Sequence, residues 1–178
     1  MNDASPLTVV VEIPKGCRNK YEFDRAIGVI RLDRTLFTAT QYPADYGFVR
    51  DTLGTDGDPL DALVLLEEPT FPGCWITVRP IGVFWMSDEA GVDPKLLCVP
   101  AADPRWADVH DIADVTSFVL REIEHFFTVY KQLEPGKSTQ CRGWDGAAVA
   151  RTVVADALAR ARAVTASTDG SSGVAATL

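Results

Sequence analysis

Histidine is scarce in this chain: His110 and His125 are the only two, and neither forms a Ser-His-Asp or Cys-His set. Catalysis by an activated serine or cysteine therefore lacks its parts. Four cysteines (Cys17, Cys74, Cys98 and Cys141) stand far apart with no Cys-x-x-Cys spacing, which excludes a zinc ribbon or dithiol motif and reads as free thiols in a reducing cytosol. Neither Gly-x-x-x-x-Gly-Lys-Ser/Thr nor Gly-x-Gly-x-x-Gly occurs, so a nucleotide cradle is unsupported. No apolar run is long enough to span a bilayer. Met1 to Pro6 has neither the basic nor the apolar region of a secretory signal, and a cytoplasmic protein is expected. Positive charge is also short: 17 Lys and Arg against 25 Asp and Glu leave a net charge of −8. The basic footprint of a nucleic-acid binder is absent. Such an acidic excess either serves solubility or marks carboxylates gathered around bound cations.

What is present suits one domain with a real core. The chain has 178 residues, of which 47% are hydrophobic, and shows no repeat or linker. Residues Leu7 to about Pro100 read as strands and turns. Val9 to Ile13 is β-branched and stops at Pro14, and Tyr21 to Phe23 and Gly28 to Arg34 follow. Ala62 to Leu66 is a short apolar run that reads as a buried strand, as does Leu96 to Val99. Trp75 to Trp85 is a longer one, with a bend or bulge expected at Pro80 and Gly82. The period then changes. Val115, Phe118, Val119, Ile123, Phe126, Phe127 and Tyr130 fall three and four apart, which predicts an amphipathic helix over Val115–Leu133 with Asp114 as N-cap. A second helix is expected from about Gly146 to Val164, and Thr165 to Leu178 reads as a disordered tail beyond a domain over residues 1–164. Strands followed by helices predict an α+β fold, a small barrel with helices packed outside.

The acidic run Asp56-Gly57-Asp58-Pro59-Leu60-Asp61 carries the strongest chemical signal. Carboxylates this close repel one another, and the run costs stability unless something neutralises it. Gly57 and Pro59 make a turn that can aim alternate side chains into one space, as a hard divalent cation requires. Taken alone, it also reads as a solvated acidic turn before a strand. It is not an EF-hand loop: counted from Asp56, positions five and six are Leu60 and Asp61 in place of an oxygen ligand and glycine, although Glu67 falls at position twelve. Asp88, Glu89 and Asp93 form a second acidic turn, and Glu12 and Glu22 lie within strands. Lys20, Arg34, Lys95 and Lys131, with Tyr42, Tyr46 and Tyr130, are individually ordinary surface cations and half-buried phenols. Together, metal-holding carboxylates and Lys, Arg and Tyr donors are the parts needed to bind a phosphate-rich anion, with a metal-activated water as the simplest nucleophile.

Asp56 to Ala62 resembles, without a departure, the signature of the soluble family I inorganic pyrophosphatases. The similarity runs from about Val10 to Arg162 and includes Val11-Glu12-Ile13-Pro14, Asn19-Lys20-Tyr21-Glu22, Leu32-Asp33-Arg34, Tyr42-Pro43-Ala44-Asp45-Tyr46-Gly47, Asp88-Glu89-Ala90-Gly91 and His125-Phe126-Phe127. Arg105-Trp106 and Leu133-Glu134-Pro135-Gly136-Lys137 resemble the compact bacterial, actinobacterial type. The resemblance implies a five-stranded OB-type barrel with two main helices, a homohexamer, and Mg²⁺-dependent hydrolysis of pyrophosphate with several ions per site. It places Asp56, Asp61 and Asp93 on the tighter metals, with Asp61 bridging two, and Glu12, Glu22, Asp88 and Asp93 on those arriving with substrate. Asp58 would orient or deprotonate the attacking water, and Tyr42 would stand close to the metals and Asp58. Lys20, Arg34, Tyr46, Lys95, Tyr130 and Lys131 would bind phosphate. The chain departs locally. Arg25 and Ala90 stand where some relatives have histidine, and His125 fits a position at a subunit interface where Val129 replaces a common second histidine. Two other classes bound this reading. A barrel binding single-stranded nucleic acid would need a basic aromatic groove, and a metal buffer would need no phosphate donors.

Overall fold

The computed structural model describes residues 6–89 and 91–171, with the side chains of 168–171 outside the description. Nine strands, β1 (Leu7–Ile13), β2 (Asn19–Asp24), β3 (Val29–Thr35), β4 (Asp45–Val49), β5 (Asp61–Val64), β6 (Trp75–Asp88), β7 (Gly91–Val92), β8 (Lys95–Pro100) and β9 (Thr139–Gly146), accompany two α-helices, α1 (Ser117–Val129) and α2 (Ala147–Ser171). Five strands close a ring in the order β1-β4-β5-β8-β6, with β6 returning to β1. All its pairings are antiparallel except β5–β8. Closure removes the unpaired edges that an open sheet would expose. β7 and β9 extend the sheet from β6, while β2 and β3 form a separate hairpin. This is the expected α+β barrel of OB-like type with two helices.

Its strands are apolar on both faces because two cores use them. Leu63 of β5 and Leu97 and Val99 of β8 join Ile13, Phe84, Ile123, Phe126 and Phe127 in one buried cluster. Their alternate neighbours Ala62, Val64, Leu96 and Cys98 join Val9, Val49, Val83, Ala150, Val154 and Ala157 in the other. The period-two alternation of a strand divides each run between them. Ile123, Phe126 and Phe127 of α1 are fully or nearly buried, and each such side chain stabilises the docked helix by about 1.5–3 kcal/mol. The bulge anticipated in β6 is found as a register shift between Pro80 and Gly82.

Both helix boundaries differ from those anticipated. Asp114 ends a short 3-10 turn, Ile112–Asp114, in which its carboxylate accepts from the backbone N–H of His110 and Asp111 while Asp111 accepts from the backbone of Ala113. That reciprocal capping box holds Val115 extended, so α1 starts at Ser117 after Thr116. Phe118, expected on the apolar face, is 62% exposed. α2 runs past Val164 to Ser171, where the Thr165 and Ser167 hydroxyls donate to carbonyls one turn back. Residues 172–178 of the anticipated tail, and Ala90, lie outside the described residues. No helix among the described residues is long and apolar enough to cross a membrane.

Candidate active site

The acidic run forms the turn entering β5, and local bonds explain its shape. Thr52 is buried; its hydroxyl donates to the Val49 carbonyl (2.7 Å) and accepts from the Leu60 backbone N–H (3.0 Å). The Gly54 N–H donates to the Asp58 carbonyl (2.6 Å), and the Asp58 N–H donates to the Asp56 carboxylate (3.0 Å). Gly57 has φ 93°, in the left-handed region where a side chain would be strained. Asp56 and Asp58 are consequently exposed, whereas Asp61 is half-buried at the start of β5.

Two strand irregularities aim further groups into the same space. Opposite β4, β1 carries one extra residue between Val11 and Ile13, and that residue is Glu12. The β2–β3 hairpin shifts register between Lys20 and Tyr21, next to the Lys20–Arg34 pair. Bulges of this kind re-aim side chains beside functional clefts. Glu12 accepts the Phe23 N–H (2.7 Å) and so ties the hairpin to the ring.

The outcome is one cleft of about 590 Å³. Glu12, Lys20, Glu22, Arg34 and Tyr46 line it together with Asp56, Asp58, Asp61, Asp88, Asp93, Lys95, Tyr130 and Lys131. Tyr42 does not line it. This ring is 2% exposed and packs between Tyr46 (5.3 Å) and Phe126 (4.7 Å), supporting the wall from behind. Glu89 of the second acidic turn lines the cleft too, and so do Arg25 and Lys137, whose sequence positions singled neither out as a site residue. Lys137 pairs with Glu89, and Arg25 reaches Asp58 at 3.1 Å. Lone cations in turns carry no periodic signal, so only the fold could bring these to the cleft.

Opposite charges interleave along the wall. The buried Lys95 ammonium donates to both Asp61 and Asp93 (2.6 Å to the latter). The Tyr46 hydroxyl donates to the same Asp61 oxygen. Lys131 donates to Asp88 (2.7 Å), and Lys20 meets Glu22 and Asp33. Burial opposes the charge on Lys95, but Asp61 and Asp93 outweigh it and raise its pKa. Burial, with help from Asp61, likewise lifts Asp93, against the pull of Lys95. Burial lifts Glu12 to about 7, partly offset by the Phe23 N–H. Tyr42, Tyr46 and Tyr130 are all pushed upward, first by burial, so their phenols remain protonated donors.

This donor set is oxygen throughout, without cysteine or histidine, which suits a hard divalent cation. Among the described residues no three carboxylates already converge as a cage. Mg²⁺ asks for none, because it keeps several waters and is held by one or two carboxylates plus substrate phosphates. The residues therefore fit Mg²⁺ arriving with a phosphate-rich anion.

Comparison with known proteins follows the same line. The family model described as "Inorganic pyrophosphatase" matches residues 9–162. An inorganic pyrophosphatase of Streptomyces coelicolor is 64% identical over 138 residues, covering 78% of this chain and 85% of that relative. The solved inorganic pyrophosphatase of Thermus thermophilus superposes with a TM-score of 0.87 at 43% identity, over 91% of this chain and 94% of that one. The Helicobacter pylori structure gives 0.87 at 42% identity, over 91% and 96%.

Proposed function

The chain belongs to the inorganic pyrophosphatase family, and on that premise we propose that it hydrolyses pyrophosphate to two phosphates with Mg²⁺ in the cleft described above. The observation that carries the proposal is convergence. Every carboxylate and cation assigned by resemblance, from β1 to the turn after α1, lines the same cleft.

Hydrolysis of a phosphoanhydride is slow because a nucleophile must approach accumulated negative charge, so positioning and charge compensation are most of what a protein contributes. Lys20, Arg34, Lys95 and Lys131 would hold phosphate oxygens, with the Tyr46 and Tyr130 phenols as neutral donors. Asp58, exposed at the tip of its turn, would orient the attacking water and accept its proton. Asp56, Asp61 and Asp93 would hold the resident Mg²⁺, and Glu12, Glu22, Asp88 and Asp93 the ions entering with substrate. Bound Mg²⁺ supplies Lewis acidity, lowering the pKa of water and screening the phosphates. Tyr42 would act by fixing the Tyr46 ring. Cytoplasmic location and assembly into a homohexamer belong to the same proposal, supported by the resemblance to bacterial relatives.

Metal removal tests it. EDTA is expected to lower phosphate release by about 100-fold or more, several kcal/mol in the barrier, and added Mg²⁺ to restore it. Release that ignores the chelator would contradict the assignment.

A further inference from the structure

Glu134 lies in the turn after α1 and has no place among the groups assigned so far. Its side chain is only 7% exposed, yet it is an acid. A buried acid of this kind needs partners, and it has them. Its Oε1 accepts from both Nε (3.0 Å) and Nη2 (2.8 Å) of Arg34, a residue 100 positions earlier on β3. Asp33 accepts a hydrogen bond from Nη1 of the same guanidinium.

We propose that Glu134 is the positioning residue for Arg34, an inference that rests on the pyrophosphatase reading. Arginine reaches its target on a long flexible stem, but its planar fork is directional once one edge is fixed. Glu134 fixes the Nε edge, and the unused N–H groups are left to the cleft that Arg34 lines. The carboxylate itself stays out of that cleft, so it holds Arg34 without competing for the cations. The same turn carries Lys131, whose carbonyl accepts the Glu134 N–H (2.9 Å) and whose ammonium reaches Asp88. One turn thus places two phosphate-facing cations, one directly and one through a partner from β3.

The test is a double-mutant cycle on kcat/KM for pyrophosphate with Mg²⁺, using wild type, E134A, R34A and the double variant, with Tm for each. E134A is expected to lower kcat/KM by roughly 10–100-fold, the usual cost of losing an orienting partner. In the R34A background the same change should cost less than about twofold, because the two act as one unit. E134M fills the buried volume but lacks the charge and the strong acceptor oxygens of the carboxylate, and it repeats the cycle should E134A fail to fold. An equal loss in both backgrounds, as a merely structural role would give, overturns the proposal. So does an E134A enzyme as active as wild type. A wild type that releases no phosphate would sink the pyrophosphatase reading itself.

Discussion

The Asp61→Ala variant is expected to release phosphate from pyrophosphate roughly a thousandfold more slowly than wild type, a loss of about 4 kcal/mol in transition-state stabilisation. Asp61 is where the cleft's interactions meet. One of its oxygens accepts from both the Tyr46 hydroxyl and the Lys95 ammonium, groups delivered by β4 and β8. As a carboxylate that would hold the cations it has no substitute, since Asp56 is exposed on the turn and Asp93 is paired with Lys95. Lys95 would keep Asp93 as a partner, so the fold should survive. The loss should therefore be seen in kcat under saturating Mg²⁺, with Tm little changed. Asp58→Ala, which removes the proposed proton acceptor of the water together with its contact to Arg25, is expected to cost about 100-fold or more by the same assay. An Asp61→Ala enzyme within threefold of wild type across a Mg²⁺ titration would contradict the assignment.

The Gly47→Ala variant should damage the fold itself. Gly47 pairs with Val11 across β1–β4 and with Ala62 across β4–β5. A Cβ there would stand 1.9 Å from the Val10 carbonyl oxygen and 2.8 Å from the Val11 Cα. Both neighbours are backbone, so no side chain can rotate away and the ring must open between β1 and β4. Overpacking commonly costs 1–3 kcal/mol, and an immovable contact puts this at about 3 kcal/mol or more. For a domain of this size that is roughly 6–12 °C in Tm. Gly28→Ala is the comparison. Gly28 has φ 70° but open space around it, so only backbone strain of about 1 kcal/mol is at stake. Equal Tm shifts for the two would show that the close approach at Gly47 is not what matters. Activity should fall with stability, because Tyr46 is the adjacent residue in β4.

How much of this was legible in the sequence depended on whether a signal was local. The acidic turn was, since Asp56, Asp58 and Asp61 lie within six residues and Gly57 and Pro59 announce a turn. The strands with apolar runs were too, because two cores require both faces of β5 and β8 to be apolar. β9 was not. Its sequence, Thr-Gln-Cys-Arg-Gly-Trp-Asp-Gly, has no apolar alternation, and it forms because β6 is long enough to pair with it over Gly82–Asp88. β4 was hidden by its glycine, which a propensity reading scores against a strand but which this close packing demands. Asp114 misled because an acid before an apolar periodic run looks like an N-cap, and only the geometry shows it closing a separate turn. Lys137 and Glu134 were unreadable as site groups for a third reason. Their partners, Glu89 and Arg34, are 48 and 100 residues away.

The most direct test of the central claim follows pyrophosphate by ³¹P NMR in the presence of the purified chain and Mg²⁺. The pyrophosphate resonance should vanish into a single orthophosphate resonance with two phosphates formed per molecule consumed, and EDTA should halt the conversion. A pyrophosphate signal that persists with Mg²⁺ present, while the chain remains folded, would contradict it.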